Sequence, residues 1–379
     1  MKLGILTHPL YGNYGGMLQA YALVKYLREC GHDAYNLSYE PRSYRKILHN
    51  PFKRAKERFR SFLLKLHPAL CRFKMPQLLQ IELGQDFERK YVPHLSLGNT
   101  PTTQLEEYGI EAIVVGSDQV WRGESAKAMK SFPYFFLYFA QEKIRNASIS
   151  YAASFGKDTW EGTDEEARIC GKLLHDFRAV SVRETSAISM CKQLFDIEAC
   201  RVADPTLLLH TEDYNLLIDA ETTWSPEEKY IATYILDAAP AITKTISAVA
   251  TDSKLAIQPL RATTQAHKSR DRFPISVAQW LKLIRDSEYL VTDSFHGCVF
   301  AIIFNKPFVC LGNKGRGATR FESLLSTYEL RHRIVSNISH DSIQQVLETP
   351  IDWEYVNKVH CQERKAANQF IRSNLLQHV

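Results

Sequence analysis

The 379-residue sequence lacks long apolar runs, a signal-like N-terminus and closely spaced cysteines. No window reaches the roughly 18 apolar residues that a membrane-spanning helix needs. The opening MKLGILTHPLYGNYGG does not have the charged-then-apolar order of a signal peptide. Because no two of the eight cysteines lie within four residues of each other, no spacing indicates zinc, iron–sulfur or redox chemistry. We therefore expect a cytoplasmic protein with buried, reduced thiols and no bound metal.

Positive charge is in small excess, and the formal net charge is only +5. Its distribution is uneven, because residues 42–74 hold eleven Lys and Arg against a single acid, Glu57. This segment therefore carries +10, and the remaining chain carries −5. A mildly acidic body with one basic insert does not have the broad basic surface that is typical of nucleic-acid-binding proteins, so we expect no nucleic-acid partner.

Short apolar runs alternate with helical patterns along the chain, which is typical of α/β proteins with parallel sheets and crossover helices. The predicted strands are 3–8, 34–39, 112–117, 148–154, 179–183, 200–204, 230–237, 254–260, 288–293 and 306–312. A chain of this length exceeds what one core usually serves, and the acidic stretch 206–228 interrupts the strand pattern. We therefore predict domains 1–210 and 211–350, followed by a helical segment 351–379.

A glycine-containing loop follows the first predicted strand. His8 and Asn13 precede Gly15 and Gly16 at the start of a helix, whose free N–H groups favour a polar or anionic ligand. The GxGxxG spacing of a dinucleotide site is absent. The alternative is that the glycines only permit a tight turn between strand and helix.

Two further polar segments of the first domain follow predicted strands. VVGSDQVWRG places Asp118, Gln119 and Trp121 where ligands bind in open α/β sheets, and a Trp beside a carboxylate and an amide suits a sugar ring. The alternative is that Ser117 or Asp118 caps a helix. Arg183 follows another strand, where a guanidinium can hold a phosphate or carboxylate, although its spacing favours an ion pair with a neighbouring acid.

The second domain contains a strand, a polar turn and an apolar helix in EYLVTDSFHGCVFAIIF. His296 lies in the turn beside Gly297, at the start of the helix, where an imidazole suits general acid–base catalysis. The alternative is a structural histidine. The loop NKGRGATRFESLL combines Lys314, Arg316 and Arg320 with two glycines, which suits anion binding, and the alternative there is a solvated basic loop.

Together these motifs resemble the polysaccharide pyruvyl transferase family. The matching pieces are NYGGMLQAYAL, VVGSDQVW, ISYAASFG, VSVRETS, VADPTLLL, YILD, VAQWLKLIRDSEYLVTDSFHG and FNKPFVCLGNKGRGATRFESLL, in the family's order. The resemblance implies an α/β fold of two Rossmann-like domains that face each other across a cleft, as in GT-B glycosyltransferases. By analogy with two-domain α/β proteins, the C-terminal helix is expected to cross back to the first domain.

The resemblance also implies an activity. It is the transfer of pyruvate from phosphoenolpyruvate to two hydroxyls of a sugar, such as galactose, in a polysaccharide or a polyprenyl-linked oligosaccharide, which gives a cyclic ketal. Phosphoenolpyruvate is then a co-substrate and no cofactor is expected. The family's essential His falls on His296 and its Arg after the VSVR strand falls on Arg183, so the resemblance implies that both are catalytic residues. The residues expected at the donor site, in the second domain, are Ser294, Gly297, Lys314, Arg316 and Arg320. The residues expected at the acceptor site, in the first domain, are His8, Asn13, Gly15, Gly16, Asp118, Gln119 and Trp121.

One departure from the family pattern affects the donor site. Many members have Arg two residues before the His, where this chain has Ser294, so the anion is expected to be bound by Arg316 or Arg320. Either Lys314 or Arg320 matches the family's basic loop residue. Two alternatives remain, a GT-B glycosyltransferase that uses a nucleotide sugar and a non-catalytic glycan-binding protein on the same scaffold. The histidine and the cationic loops argue against the second.

The basic insert contains a predicted amphipathic helix that starts at Asn50-Pro51. Its apolar residues fall on one face and are Phe52, Ala55, Phe59, Phe62, Leu63 and Leu66. Its cations fill most of the remainder and are Lys53, Arg54, Lys56, Arg58 and Arg60. Such a helix suits the surface of an anionic membrane, and we expect peripheral contact at the inner face of the membrane through residues 50–67. The alternative is a helix packed on the first domain with a solvated cationic face.

Overall fold

A computed structural model describes residues 1–40, 49–66, 77–123, 131–262, 273–312 and 318–375. The chain forms two compact units: the first is Met1–Arg54, Gly84–Leu208 and Cys361–Val379, and the second is Ala55–Leu83 and Leu209–His360. The chain thus passes into the second unit at Leu209, close to the boundary predicted at 210. Residues from Ala55 onward in the basic insert are grouped with the second unit, whereas the sequence prediction placed the whole insert in the first domain.

The first unit contains a seven-stranded sheet whose strand pairs are all parallel. Its strands are β1 (Lys2–Leu6), β2 (Asp33–Ser38), β3 (His94–Ser96), β4 (Ala112–Val115), β5 (Ile149–Ala153), β6 (Ala179–Val182) and β7 (Cys200–Arg201). The order is β3-β2-β1-β4-β5-β6-β7. The strand order reverses between β1 and β4, which is where ligands bind in doubly wound sheets.

The second unit contains a five-stranded parallel sheet. Its strands are β8 (Tyr230–Tyr234), β9 (Ala256–Pro259), β10 (Tyr289–Thr292), β11 (Phe308–Leu311) and β12 (Ile334–Val335). They are arranged β12-β11-β10-β8-β9, so the strand order reverses between β8 and β10. The loops after β8 and β10 therefore occupy the second ligand-binding position of the fold.

Helices connect the strands. They are α1 (Tyr14–Glu29), α2 (Pro51–Leu66), α3 (Gln77–Tyr91), α4 (Pro101–Glu107), α5 (Glu142–Ala147), α6 (Asp164–His175), α7 (Thr185–Phe195), α8 (Thr211–Asp219), α9 (Pro240–Asp252), α10 (Val277–Arg285), α11 (Phe295–Ile303), α12 (Ala318–Thr327), α13 (His340–Glu348) and α14 (Trp353–Leu375). Among the helices of the described residues, none is both long and apolar enough to cross a bilayer.

The ten predicted strands are all present, and two further strands were missed. Strands β3 and β12 have three and two residues and lie at the edges of their sheets. Such short edge strands carry no apolar run, so periodicity does not detect them. The central strands are detectable because both faces are covered: all four residues of β4 and all four of β11 are buried.

The predicted C-terminal helix is α14, and from Cys361 onward it belongs to the first unit. Arg201 donates to both carboxylate oxygens of Glu363 at 2.7 Å. Farther along, Arg178 donates to the carbonyl oxygen of Asn374 at 3.3 Å. The predicted return of this helix to the first domain is confirmed.

The thiols agree in part with the sequence prediction. Cys170, Cys191, Cys298 and Cys310 are buried, and all the cysteines of the described residues are free. Burial raises the pKa of Cys170 and Cys191 to about 12, so both stay protonated at neutral pH. Cys200 is exposed, which corrects the expectation of burial for that residue. Cys71 lies outside the described residues.

Candidate functional site

The loops after β1 and β4 are joined by a buried glutamine. The two strands are paired neighbours, and Gln19 of α1 reaches both of the loops that follow them. Its Nε2 donates to Oγ1 of Thr7 at 2.9 Å, and its Oε1 accepts the backbone N–H of Ser117 at 3.0 Å. The Thr7 hydroxyl in turn donates to the carbonyl oxygen of Ser117 at 3.0 Å. Because Gln19 is fully buried, it fixes the geometry of this edge of the sheet rather than contacting a ligand.

The turn after β4 requires a glycine at its first position. Gly116 has φ +118°, and a Cβ there would lie 2.3 Å from the carbonyl oxygen of Tyr151. Two residues later Asp118 has φ +68°, and its Oδ1 accepts the N–H of Gln119 at 2.9 Å. The Gly116–Ser117 peptide bond is cis. This backbone directs the Asp118 carboxylate inward, where the residue is only 4 % exposed.

Arg183, at the end of β6, is neutralised by two buried carboxylates. Its Nη1 donates to Oδ2 of Asp204 at 2.9 Å, and its Nη2 lies 3.5 Å from Oδ1 of Asp118. Burial by itself lowers the pKa of the guanidinium, but Asp204, Asp118 and Glu184 outweigh burial, and the pKa lies above its ordinary value. The local interpretation of Arg183, an ion pair with neighbouring acids, therefore describes its geometry. In this position it holds the turn after β4.

The acids around Arg183 bind further groups. The sequence offered Glu184 only as an ion-pair partner of Arg183, and it did not single out Asp204. Oδ1 of Asp204 accepts from both the N–H and the hydroxyl of Thr206, at 3.1 and 2.7 Å. Oε1 of Glu184 accepts from the hydroxyl of Ser154 and the N–H of Phe155, at 3.0 and 2.9 Å. Both acids stand in motifs that carry the family resemblance, VADPTLLL and VSVRETS. That resemblance is the sequence signal by which they could have been found.

The predicted acceptor residues differ in their access to a ligand. His8 and Asn13 follow β1 while Gln119 follows β4, so the paired strands bring them to one edge of the sheet. Asn13 is exposed at the start of α1, and His8 and Gln119 are half-buried. The ring of His8 meets the ring of Phe135 edge-on at 5.3 Å. A Cβ on Gly16 would lie 3.1 Å from Nδ2 of Asn13, so glycine allows this close turn, and Gly15 beside it is also buried.

Trp121 is a core residue, which corrects its predicted role as a platform for a sugar ring. It is 1 % exposed and stacks on Phe136 with ring centroids 5.0 Å apart. Its Nε1 donates to the carbonyl oxygen of Phe135 at 3.3 Å. The chain re-enters the core directly after the polar turn, because Val120 is buried as well.

In the second unit, the loop after β8 is tied to the turn after β10. Asp293 accepts the N–H groups of Leu236 and Asp237 at 2.6 and 2.9 Å, one on each carboxylate oxygen. The hydroxyl of Thr292 donates to the carbonyl oxygen of Tyr234 at 2.7 Å. Both carboxylate oxygens of Asp293 are thus used to shape the switch point between β8 and β10.

His296 lies in the first turn of α11 and is 6 % exposed. Ser294 caps this helix, since its Oγ accepts the N–H of Gly297 at 3.4 Å. A Cβ on Gly297 would lie 2.3 Å from Oγ1 of Thr292, so the turn needs glycine directly after the histidine. Ser294 and Gly297 therefore hold the imidazole of His296 at the positive end of a buried helix.

One predicted cation of the donor site, Arg320, lies near the phenylalanine ring that also meets the histidine. The ring of Phe295 is 5.3 Å from the ring of His296 and 5.9 Å from Cζ of Arg320, which belongs to α12. Arg320 is 6 % exposed. Lys314 and Arg316 lie outside the described residues. We call His296, Phe295 and Arg320 the histidine–arginine cluster.

This cluster has the chemistry of an anion-binding and proton-transferring site. A guanidinium and a helix N-terminus both favour an anion, and an imidazole can accept or donate a proton near neutral pH. Within the ranges that the structure describes, no three His, Cys, Asp or Glu side chains gather in a way that would hold a metal ion.

Comparison with known sequences identifies one family. The sequence model of the polysaccharide pyruvyl transferases matches residues 13–315, which is most of the chain. The match includes the turn after β4, the loops after β8 and β10 and His296, whereas His8 precedes it and Arg320 follows it by five residues. No curated protein matches the chain in a sequence search.

Comparison with solved structures identifies the fold. The UDP-GlcNAc 2-epimerase from Neisseria meningitidis bound to UDP-GlcNAc is 14 % identical, with TM-score 0.53 and 100 % of both chains covered. MnaA from S. aureus with UDP is 12 % identical, with TM-score 0.53 and coverage of 99 % of this chain and 98 % of that one. A putative UDP-N-acetylglucosamine 2-epimerase from Listeria monocytogenes is 10 % identical, with TM-score 0.52 and coverage of 100 % of this chain and 97 % of that one. The predicted α/β class with two Rossmann-like, GT-B-like sheets is confirmed.

Proposed function

This chain belongs to the polysaccharide pyruvyl transferase family, and we propose that it transfers the pyruvyl group of phosphoenolpyruvate to two hydroxyls of one sugar. The observation that carries the proposal is the histidine–arginine cluster, in which His296 follows β10 at the β8–β10 switch point and Arg320 of α12 lies near the ring of Phe295. It combines an acid–base group with a cation and a helix N-terminus. Phosphoenolpyruvate needs all three, because it carries a phosphate and a carboxylate and must accept a proton during the reaction.

The donor is proposed to bind in the second unit. Arg320 pairs with one of its anionic groups, and the positive end of the α11 dipole favours the other. Thr292 and Asp293 do not contact the donor in this proposal. They fix the loop after β8 and the start of α11 through the bonds to Tyr234, Leu236 and Asp237.

His296 is proposed to transfer protons. In the first step its protonated imidazole gives a proton to the methylene carbon of phosphoenolpyruvate, a sugar hydroxyl forms a C–O bond to the central carbon, and the proton of that hydroxyl returns to the imidazole. In the second step the C–O bond to phosphate breaks, the second hydroxyl forms the other C–O bond, and its proton goes to the departing phosphate. The products are a cyclic ketal with a new methyl group and one inorganic phosphate, so every atom and charge is accounted for.

The acceptor is proposed to bind at the β1–β4 edge of the first unit. Asn13 is exposed and Gln119 is half-buried, so both can contact a sugar, whereas both ring nitrogens of His8 are buried and Asp118 lies beneath the turn. Arg183 acts on this edge through Asp118, as a positioning residue. The proposed acceptor is a sugar such as galactose, in a polysaccharide or a polyprenyl-linked oligosaccharide.

The donor assignment is tested by replacing Arg320. We expect Arg320→Met to weaken phosphoenolpyruvate binding roughly 10- to 100-fold in calorimetry, because one charged hydrogen-bond partner is lost. Arg331→Met is the matched control, since Arg331 of the same unit is exposed and pairs with Glu322 at 2.8 Å. It should bind phosphoenolpyruvate as the wild type does.

Arg320→Lys extends the test if the Met variant does not fold. Lysine keeps the positive charge but cannot form the two parallel hydrogen bonds that a guanidinium forms with a phosphate or carboxylate. An intermediate loss of affinity supports the assignment. Wild-type affinity in a folded Arg320→Met protein would remove Arg320 from the donor site. No phosphoenolpyruvate binding by the wild type would contradict the proposed donor itself.

A further inference from the structure

Helix α2 turns aromatic side chains into solvent. Phe52, Phe59 and Phe62 are 86 %, 60 % and 54 % exposed. At about 100° per residue these three side chains fall on one face of the helix. The helix starts where the sequence predicts, because Oδ1 of Asn50 accepts the N–H of Lys53 at 3.0 Å. Aromatic rings are normally buried, so an exposed row of three requires an explanation.

The opposite face of α2 is the one turned toward the protein. Glu57 is 9 % exposed, and its Oε1 accepts from Nη1 of the partly buried Arg60 at 2.6 Å. The hydroxyl of Ser61 donates to the carbonyl oxygen of Glu57 at 2.9 Å. The alternative considered from the sequence was a helix packed on the first domain with a solvated cationic face. Its cations are solvated, but the three phenylalanines are exposed and do not pack on the protein. The polar side of the helix faces inward and the aromatic side faces outward.

Cations border the aromatic row on both sides. Lys56 and Arg58 fall about 70–90° to either side of the centre of the three phenylalanines, and Glu57 falls opposite. Lys53, Arg54, Lys56 and Arg58 are all exposed. Among the side chains described on this helix, the one acid is buried. The exposed face of α2 is therefore aromatic at its centre and positively charged at its borders.

We propose that α2 docks the protein on an anionic lipid surface, with the helix axis in the plane of the membrane. Phe52, Phe59 and Phe62 enter the boundary between headgroups and acyl chains, and Lys56 and Arg58 meet the negative headgroups. A second copy of this chain fits the face less well. A symmetric contact would place the same cations against one another, and like charges repel.

The aromatic part of the proposal is tested by vesicle flotation with the full chain. The probes are vesicles of phosphatidylglycerol mixed with phosphatidylcholine, and vesicles of phosphatidylcholine alone. We expect binding to the anionic vesicles and a roughly 100-fold weaker partition for the triple variant F52S/F59S/F62S. The matched control is Leu216→Ser, because Leu216 is 67 % exposed elsewhere in the second unit. It should bind like the wild type.

The charged part is tested by the double variant K56Q/R58Q. It should partition about 30-fold more weakly, since each cation near the surface contributes to binding. Raising the salt from 0.1 M to 1 M should weaken wild-type binding, because the Debye length falls from about 10 to about 3 Å.

Several results would overturn the proposal. They are equal binding to neutral and anionic vesicles, unchanged binding of the triple variant, or no binding by the wild type. Light scattering on the same samples gives the oligomeric state. A wild-type protein that is a dimer and does not bind vesicles, together with a monomeric triple variant, would assign the aromatic face to a second copy of the chain. Thermal unfolding of each variant confirms that the exposed substitutions leave the fold intact.

Discussion

Replacement of His296 by Gln is expected to lower turnover by about 10²- to 10⁴-fold, the range that general acid–base groups contribute. The amide occupies a similar volume and can still form a hydrogen bond, but it cannot deliver a proton to the methylene carbon of phosphoenolpyruvate. Release of phosphate, followed in the presence of phosphoenolpyruvate and a glycan acceptor, is the measurement. The affinity for phosphoenolpyruvate should change only a few-fold, because Arg320 and the start of α11 remain.

The control for this variant is His340→Gln in the same unit. His340 lies at the start of α13, away from the loops after β8 and β10, and pairs with Asp252 and Asp341. Its turnover should match the wild type. Turnover near the wild-type value in a folded His296→Gln protein would exclude His296 as the proton-transfer group.

Replacement of Arg183 by Met is expected to lower the free energy of unfolding by about 3–5 kcal/mol, the usual cost of removing one partner of a buried ion pair. The substitution leaves Asp118 and Asp204 buried without their common cation. Chemical denaturation measures the loss. The second substitution in R183M/D204N removes one of the two charges and should restore part of the stability.

Arg201→Met is the matched control for Arg183. Nη2 of Arg201 donates to both carboxylate oxygens of Glu363, but both side chains are partly exposed, so we expect a loss of no more than about 1 kcal/mol. A stable Arg183→Met protein without turnover would contradict the positioning role. It would favour instead the catalytic role that the family resemblance implies.

Both sheets were predictable from sequence because their inner strands are covered on both faces. Runs such as AIVV and FVCL read as buried strands without any structural information. The edge strands His94–Ser96 and Ile334–Val335 were not predictable, because pairing with a neighbour, rather than their own composition, makes them strands. Helix α14 was predictable from its length.

The positions of the candidate site residues were predictable where polar residues directly follow a strand. His296 and the turn at 116–119 were found in this way. The roles of Trp121, Arg183 and the phenylalanines of α2 were not predictable. They depend on the direction in which each side chain points, and residue spacing alone does not give that direction. Trp121 turns into the core, Arg183 is enclosed by acids from two other loops, and the phenylalanines of α2 face outward.

The most direct test of the account is the mass of the acceptor after incubation with the enzyme and phosphoenolpyruvate. A set of glycans that includes a galactoside and a polyprenyl-linked oligosaccharide would be analysed by mass spectrometry, with phosphate measured in parallel. We predict that one acceptor gains the mass of pyruvic acid less one water, with one phosphate released for each adduct. Transfer of a sugar from a nucleotide sugar, with no pyruvyl adduct on any acceptor, would contradict the account.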